Sequence, residues 1–197
     1  PREIRITTNL VGDTAGMNIA AALAGALALL DRSASPEELS RMTSAIAAVE
    51  AVPGRLRAMA AGGVRILDDS YNSNPRSVRA ALLAAREVAE RRGARLVVAL
   101  GDMLELGELA GTMHRAVLAE ALAAGPALLG LAGTEYGRVA RACAPSVPLM
   151  LAPDSAALGA VLVPALLPGD VLLLKGSRGL AMERLLAPLA ARFGGET

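Results

Sequence analysis

Between residue 55 and the end of the chain, short apolar runs alternate with helical patterns, and this alternation most constrains the fold. The runs 96–100 and 171–174 are apolar throughout, as expected of strands that are covered on both faces. The predicted strands are 56–60, 64–68, 95–100, 127–132, 147–151 and 170–174. The predicted helices are 75–91, 108–124, 135–143, 154–162 and 179–192. Strands that alternate with helices predict an α/β fold, in which a mostly parallel sheet has helices on both faces.

The first fifty residues carry a weaker pattern, with one short predicted strand and two predicted helices. These are residues 3–8, 16–30 and 35–48. The second helix has a clear start, because Ser35 can cap it and Pro36 suits its first position. Val52-Pro53-Gly54 then interrupts the pattern and predicts a domain boundary. Residues 1–51 are thus expected to form a short, mainly helical segment, and residues 52–197 the α/β domain.

Three clusters of polar side chains directly follow predicted strands. They are residues 68–75 (DDSYNSNP), 101–107 (GDMLELG) and 175–178 (KGSR). Because the carboxyl ends of parallel strands meet at one edge of a sheet, clusters far apart in sequence are expected to line one crevice. This convergence predicts a binding site for a small molecule at that edge.

The first cluster carries two adjacent carboxylates. Asp69 could accept hydrogen bonds from both vicinal hydroxyls of a ribose, since a carboxylate offers two acceptor oxygens. The alternative is that Asp68 and Asp69 only cap turns, a common use of aspartate beside a strand end. The pattern of residues does not decide between the nucleotide contact and the structural role.

The other two clusters suit the charged groups of a small molecule. Lys175, Ser177 and Arg178 offer an ammonium, a hydroxyl and a guanidinium just before a helix, which suits a carboxylate or a phosphate. Lys175 is also the only lysine among the 20 basic residues, which favours a specific role. Asp102 and Glu105 could hold the ammonium group of an amino acid. The Lys175 cluster could instead be an ordinary strand-to-helix loop, and Asp102 and Glu105 could be solvated loop acids.

Several kinds of site have no support in the sequence. The single histidine, His114, falls beside Val117 and Leu118 on a predicted helix, so a packed structural role is expected. No cluster of histidines or cysteines predicts a metal site. No G-x-x-x-x-G-K-[ST] loop occurs either. If the protein uses ATP, its phosphate-binding loop is expected outside this chain.

Composition and charge argue against further classes. A net charge of +1, with no cluster of basic residues, argues against nucleic-acid binding. The apolar run 157–174 is interrupted by proline, glycine and aspartate and falls short of the roughly 20 residues of a membrane span. Cys143 is the only cysteine, so no internal disulfide can form, and the first residues lack the apolar core of a signal peptide. A cytoplasmic protein is therefore expected.

The polar clusters, in this order, resemble the Mur ligases, and among them the branch that joins D-alanyl-D-alanine to UDP-N-acetylmuramoyl-tripeptide. The pattern of that branch runs approximately D-D-S-Y-N-A-N-P, then G-D-M-x-E-L-G, a histidine, and K-G-S-R-x-x-x-M-E. The matching segments here are 68–75, 101–107, His114 and 175–183, preceded by a P-G-R segment at 53–55. The resemblance covers about residues 12–192. Tyr71 supports the dipeptide-adding branch, because related Mur ligases often carry lysine or histidine there.

The resemblance implies an enzyme of three domains: one for the UDP-sugar, a central domain that binds ATP with Mg2+ through a phosphate-binding loop, and a Rossmann-like C-terminal domain. Residues 1–51 would be the C-terminal part of the central domain, and residues 52–197 the third domain. The enzyme would phosphorylate the terminal carboxyl of UDP-N-acetylmuramoyl-tripeptide, and the amine of D-alanyl-D-alanine would attack the acyl phosphate. Without the phosphate-binding loop and its partner domains, this chain is expected to be inactive alone.

The resemblance also implies roles for individual residues. Those expected to contact ATP are Asn18 at the adenine, Arg55 at the phosphates, Asp69 at the ribose, and Asn72. Those expected to bind or orient the dipeptide are Asp102, Glu105, Lys175, Ser177 and Arg178. Further candidates are Tyr71, Asn74 and His114. The family usually shows G-x-H-N-x-x-N before the first helix, whereas Thr14 and Ala15 replace the histidine and the first asparagine here, and only Asn18 remains.

Two other functions stay open from the sequence. The chain could be a non-catalytic module that binds a nucleotide or an amino acid and derives from the Mur ligase fold, which the replacements at Thr14 and Ala15 favour slightly. It could also belong to a sister ligase, such as a relative of folylpolyglutamate synthase. Tyr71 and the G-D-M-x-E-L-G match weigh against the sister ligase.

Overall fold

The computed structural model describes residues 4–30 and 33–194. Its helices are α1 (Asp13–Ala28), α2 (Pro36–Ala47), α3 (Pro75–Arg92), α4 (Ala110–Ala123), α5 (Thr134–Cys143), α6 (Ser155–Leu162) and α7 (Leu186–Phe193). Its strands are β1 (Arg57–Ala61), β2 (Val64–Asp69), β3 (Leu96–Gly101), β4 (Leu128–Ala132), β5 (Leu149–Ala152) and β6 (Val171–Lys175). Short 3-10 turns lie at Gly107–Leu109, Val163–Ala165, Arg178–Leu180 and Met182–Leu185. Each strand predicted beyond residue 55 is present, with ends shifted by one or two residues.

The strands form one sheet in the order β1-β2-β6-β3-β4-β5. β1 and β2 form an antiparallel hairpin, whereas the other neighbouring strands are parallel. The prediction of a mostly parallel sheet is therefore confirmed. Lys175 of β6 is in register with Asp69 of β2 on one side and with Leu100 of β3 on the other. These three strands thus end together, at what we call the carboxyl edge.

Helices cover both faces of the sheet, as the apolar strands predict. One face packs against α3, α4 and α5, and the other against α6 and α7. Helix residues in the first core include Val78, Leu82, Val117, Leu118, Tyr136 and Val139, and those in the second include Leu158, Leu162 and Leu189. Strands β3, β4 and β6 are buried along their whole length. The loops at the carboxyl edge therefore start from a closely packed base.

Helix α3 begins as its sequence predicts. The Asn74 side chain accepts a hydrogen bond from the backbone N–H of Ser77 at 2.9 Å, and the Ser77 hydroxyl accepts one from the backbone N–H of Asn74 at 3.1 Å. Pro75 occupies the first helical position. This reciprocal capping fixes the direction of the chain just after the first polar cluster. Asn74 therefore has a capping role, and a further role in ligand binding stays a prediction.

The N-terminal helices α1 and α2 contain no buried residues. Helix α1 consists mainly of alanine, leucine and glycine, yet its Met17 is 73% exposed. Gly12, just before α1, lies against Leu56 and Ala84. No helix in residues 4–30 and 33–194 is long and apolar enough to cross a membrane.

The strand predicted at residues 3–8 is absent from the described part of that range. Residue 3 lies outside the described residues, and residues 4–8 form no strand. The prediction was wrong because alternating apolar residues form a strand only beside another strand. Here Ile4 and Ile6 instead line a groove together with α1.

Candidate functional site

The three polar clusters meet at the carboxyl edge, and hydrogen bonds join them. Lys175 donates to the carbonyl oxygen of Asn72 at 2.9 Å, which links the third cluster to the first. The backbone N–H of Ser177 donates to the carbonyl oxygen of Asp102 at 3.1 Å. The Ser177 hydroxyl in turn accepts a hydrogen bond from the backbone N–H of Leu104 at 2.8 Å. The clusters therefore lie side by side, as the three strand ends predict.

Lys175 lies at the centre of this group and is only 1% exposed. Its ammonium donates to Asp69 Oδ2 at 2.5 Å as well as to the Asn72 carbonyl. Burial raises the pKa of Asp69, and the nearby Lys175 charge opposes this shift only in part. Lys175 is thus half of a buried ion pair.

Asp68 and Asp69 tie the chain before β1 to the end of β2. The Asp68 carboxylate accepts hydrogen bonds from the backbone N–H of Gly54 at 2.9 Å and from the Ser70 hydroxyl at 2.5 Å. Asp69 Oδ1 accepts one from the backbone N–H of Leu56 at 3.0 Å. The two carboxylates differ in access, because Asp68 is buried whereas the Asp69 side chain is 18% exposed. Asp68 is therefore a cap, and Asp69 combines a structural contact with access to solvent.

The chain at Gly54 approaches the first cluster closely. The backbone N–H of Tyr71 donates to the carbonyl oxygen of Gly54 at 2.9 Å. Gly54 has a φ of +73°, and a Cβ added to it would lie 2.9 Å from the Tyr71 nitrogen, so only glycine fits. The guanidinium of Arg55 lies 4.3 Å from the centre of the Tyr71 ring, a cation–π contact. This packing brings the exposed Arg55 and Tyr71 beside the segment that bonds to Asp69.

Met182 fills the space between the ends of β6 and β3. A Cβ added to Gly176 would lie 2.6 Å from Met182 Cγ, and one added to Gly101 would lie 2.9 Å from Met182 Sδ. Met182 is fully buried. A crevice between such strands is where parallel sheets commonly bind ligands. Because a side chain occupies it here, the accessible part of the edge lies toward Asp69 and the outer loops. Sequence analysis did not predict that Met182 fills this space. The signal for it was the glycine in each motif, Gly101 and Gly176, which leaves room for a neighbouring side chain.

Asp102 is a cap for helix α5. Its Oδ1 accepts a hydrogen bond from the backbone N–H of Tyr136 at 2.8 Å, and its Oδ2 accepts one from the backbone N–H of Glu135 at 2.9 Å. Free N–H groups at a helix start attract a carboxylate, which explains why Asp102 is buried. A solvated loop acid, one of the two possibilities from the sequence, was therefore wrong for Asp102. Its contact with a dipeptide stays a prediction.

His114 supports the second cluster from helix α4. It is fully buried, its Nε2 accepts a hydrogen bond from the backbone N–H of Met103 at 2.9 Å, and its Nδ1 lies 2.7 Å from the carbonyl oxygen of Ala110. With Nε2 as the acceptor, this network assigns a ring proton to Nδ1. The ring also packs edge-on against Tyr136, and burial raises the pKa of that phenol. The structural role expected of His114 is confirmed.

The charged residues of the two outer loops are more exposed. Glu105 is exposed and has a φ of +63°, in the left-handed region. Arg178 is exposed and pairs with Glu183 at 2.9 Å. Glu105 lies in the loop after β3, and Arg178 in the loop after β6. Their roles toward a dipeptide stay predictions.

The two asparagines expected to contact ATP lie in different places. The Asn72 side chain is exposed, and its backbone is held by Lys175. Asn18 is exposed on α1, and in the part of the chain that the structure describes no hydrogen bond links it to the carboxyl edge. No three His, Cys, Asp or Glu side chains within residues 4–30 and 33–194 are grouped to hold a metal ion.

A family model matches most of the α/β domain. The match covers residues 54–178, from the segment just before β1 to the loop after β6, and the family is described as Mur ligase, glutamate ligase domain. The three polar clusters that meet at the carboxyl edge all fall within it. The chain therefore belongs to the Mur ligase family.

Similar proteins within this family share one name. The UDP-N-acetylmuramoyl-tripeptide--D-alanyl-D-alanine ligase of Treponema pallidum is 35% identical over 120 residues, which cover 59% of this chain and 26% of that protein. The ligase of the same name from Mycobacterium tuberculosis is 31% identical over 191 residues, covering 86% of this chain and 37% of that protein. A structure of MurF from Acinetobacter baumannii is 27% identical with a TM-score of 0.73, covering 88% of this chain and 37% of that one. The chain thus spans well under half of the length of these relatives.

Two more distant structures share the fold alone. A MurF ligase from Thermotoga maritima, in complex with ADP, is 24% identical with a TM-score of 0.68 and covers 89% of this chain and 38% of that one. A bifunctional folylpolyglutamate synthase/dihydrofolate synthase from Yersinia pestis, complexed with AMPPNP and Mn, is 18% identical with a TM-score of 0.54 and covers 82% and 37%. The second likeness is the weaker one.

Proposed function

We propose that this chain is the C-terminal part of an ATP-dependent ligase that adds D-alanyl-D-alanine to UDP-N-acetylmuramoyl-tripeptide in peptidoglycan synthesis. Membership of the Mur ligase family and similarity to proteins of that name support the reaction. The observation that carries the proposal is the joining of three motifs at the carboxyl edge through Lys175 and Ser177. A shared edge of this kind can bind a nucleotide on one side and an amine on the other.

The division of the chain into two domains is part of the proposal. Residues 1–51 would belong to the central, ATP-binding domain, and residues 52–197 would form the C-terminal domain. Helix α1 supports this division, because a helix with little polar surface is normally covered in a larger protein, and α1 has no buried residue. The phosphate-binding loop, the Mg2+ site and the UDP-sugar site would then lie in the rest of the enzyme.

On the nucleotide side, Asp69 would receive the ribose. Each of its oxygens accepts one hydrogen bond from the protein, which leaves a second lone pair on each for a ribose hydroxyl. Arg55, held against Tyr71, would extend toward the phosphates, and Asn72 would flank the ribose. Asn18 would contact the adenine from α1. ATP supplies the phosphoryl group that activates the tripeptide carboxyl, and these residues bind and orient it.

On the amine side, the outer loops would hold the dipeptide. D-Alanyl-D-alanine carries an ammonium and a carboxylate, and the exposed Glu105 and Arg178 have the complementary charges. Asp102 and Ser177 join these two loops. Domain closure would bring the amine to the acyl phosphate, with amide formation and release of phosphate. Closure would also exclude the water that could hydrolyse the intermediate.

Release of ADP tests the proposal. The complete gene product is incubated with ATP, UDP-N-acetylmuramoyl-tripeptide and D-alanyl-D-alanine, and the dipeptide is omitted in the control. We expect ADP release that depends on the dipeptide and that requires a higher ATP concentration in Asp69→Asn, while Glu90→Gln, an exposed change on α3, leaves it unchanged.

The possible failures have different meanings. Nucleotide or amino-acid binding without turnover would reject the ligase and support a binding module. Turnover that requires a folate and glutamate, with none from D-alanyl-D-alanine, would instead support the sister ligase. Either result would leave the fold and the contacts at the carboxyl edge unaffected.

A further inference from the structure

The ammonium of Lys175 has partners on one side of the site only. It donates to Asp69 Oδ2 at 2.5 Å and to the Asn72 carbonyl oxygen at 2.9 Å. Asp69 and Asn72 are both residues of the proposed nucleotide side. Among the described residues, Lys175 Nζ makes no hydrogen bond to the 101–107 loop or to Arg178, which belong to the proposed dipeptide side.

Access to Lys175 is also closed. With 1% of the residue exposed, its charged group cannot touch a dipeptide unless the turn at Asn72 moves away. An ammonium removed from water in this way needs its partners, because a buried charge that loses its counter-charge is strongly unfavourable. The observed contacts therefore argue against the direct dipeptide contact that the sequence resemblance implied for Lys175.

We propose that Lys175 is a positioning residue of the nucleotide subsite, which holds the Asp69 carboxylate and the Asn72 backbone in the arrangement that receives the ribose hydroxyls. This inference rests on the proposed function. Asp69 is fixed at two points, by the N–H of Leu56 on Oδ1 and by Lys175 on Oδ2. Two fixed points stop the rotation of the carboxylate, whereas one would leave it free to turn.

The charge of Lys175 also favours the form of Asp69 that receives the ribose hydroxyls. Burial disfavours ionisation of Asp69, and the negative charge of the adjacent Asp68 adds to this effect. Lys175 opposes both effects in part and so favours the ionised carboxylate that accepts from both hydroxyls. It also reduces the negative charge that an incoming nucleotide would meet. Its place beside Asp69 is set by the strand register, since the two residues are paired across β2 and β6.

The experiment separates the two substrates by their KM values in the complete ligase. The variants are Lys175→Met, Asp69→Asn and the double variant. Each variant and the wild type are assayed with ATP, 2′-deoxyATP and 3′-deoxyATP as the nucleotide. We expect Lys175→Met to raise the KM for ATP about tenfold, the effect of weakening one charge-assisted hydrogen bond, while the KM for D-alanyl-D-alanine stays constant. The preference for ATP over its deoxy analogues should fall by a similar factor. The double variant should be no worse than the worse single variant, because Lys175 acts through Asp69.

Several results would overturn the inference. A raised KM for the dipeptide with an unchanged KM for ATP would place Lys175 on the dipeptide side. Effects of Lys175→Met and Asp69→Asn that simply add would show that the lysine does not act through the carboxylate. If Lys175→Met does not fold, Lys175→Arg keeps the charge with a different geometry, and an unchanged preference between ATP and the deoxy analogues in that variant would also contradict the proposal.

A binding measurement keeps this inference distinct from the proposed reaction. Calorimetric titration of the same proteins with ADP and 2′-deoxyADP needs neither dipeptide nor turnover. Ribose preference that depends on Lys175 in a protein without ligase activity would reject the proposed reaction and support the positioning role. Absence of any ADP binding to the folded wild-type protein would reject both.

Discussion

The Nε2 atom of His114 accepts a hydrogen bond from the backbone N–H of Met103, so the single histidine of the chain supports the loop that follows β3. The ring is fully buried and packs against Tyr136. The histidine of the motif is thus a packed hydrogen-bond acceptor. His114 can therefore affect activity only by changing the position of the loop that follows β3.

Replacing His114 by alanine should mainly reduce stability. The change leaves the Met103 N–H without its partner and opens a cavity, so we expect the free energy of unfolding to fall by about 2–4 kcal/mol. Urea unfolding of the 197-residue chain measures this effect. Arg115→Gln, an exposed change on the same helix, is the matched control and should alter stability by less than about 0.5 kcal/mol. Equal stabilities for His114→Ala and the wild type would contradict the structural role.

Asp102 and Glu105 are two acids of one loop with different expected effects. Asp102→Ala removes both hydrogen bonds to the start of α5 and should lower the free energy of unfolding by about 1–2 kcal/mol. Glu105→Gln changes an exposed side chain and should leave stability within about 0.5 kcal/mol. If the proposed function is correct, Glu105→Gln in the complete gene product should instead raise the KM for D-alanyl-D-alanine without changing the KM for ATP. A large loss of stability in Glu105→Gln would contradict its role as an exposed side chain. No loss of stability in Asp102→Ala would contradict its role as a helix cap.

The Asp102 cap also shows which parts of this structure the sequence can predict. Apolar runs within short segments predict the strands. Because each polar cluster directly follows such a run, the sequence also predicts that the clusters meet at one edge of the parallel sheet. The partners of Asp102 are the backbone of Glu135 and Tyr136, 33 and 34 residues further along, and only the packed fold brings them together. The same holds for Lys175, since a sequence shows that a lysine follows a strand but not that its ammonium is buried. The wrong strand at 3–8 has a similar origin, because strand formation depends on a neighbour that the local pattern does not specify.

Gly176 should be sensitive to substitution because Met182 occupies the space of a β-carbon. Gly176→Ala forces the new methyl to within 2.6 Å of Met182 Cγ, and overpacking of this kind should destabilise the chain by about 1–3 kcal/mol. Gly16→Ala, in α1 with open space around it, should instead be neutral or stabilising by up to about 1 kcal/mol. Thermal unfolding of the two variants checks the contrast.

The cause of the Gly176 effect can be tested separately. If Met182 is the obstacle, Met182→Ala should relieve part of the cost of Gly176→Ala, so that the double variant is more stable than the sum of the single effects predicts. Strictly additive costs would mean that another contact limits the size of residue 176.

The ion pair between Asp69 and Lys175 predicts a pH dependence of defined sign. Burial raises the pKa of Asp69, and the attraction to Lys175 opposes this only partly. The folded state therefore holds the proton of Asp69 more tightly than the unfolded state, whose pKa is about 3.9. The contribution of this residue to stability should consequently be largest below pH about 4 and should be lost as the pH rises through the folded pKa. Asp69→Asn should remove this part of the pH dependence.

Two resonances report on this pair directly. The side-chain carboxyl carbon of Asp69, followed by NMR, should titrate with a midpoint above about 3.9, and a midpoint below that value would contradict the dominance of burial.

Because Lys175 is the only lysine, 15N-lysine labelling of the 197-residue chain gives a single side-chain signal. That signal should shift over the same pH range as the Asp69 carbon, and it should change position in Asp69→Asn. The exposed change Glu87→Gln should leave it unmoved, since Glu87 pairs with Arg91 on α3, away from the carboxyl edge. A lysine signal that is insensitive to both pH and Asp69→Asn would show that the two side chains are not paired in solution, and the positioning role of Lys175 would fall with it.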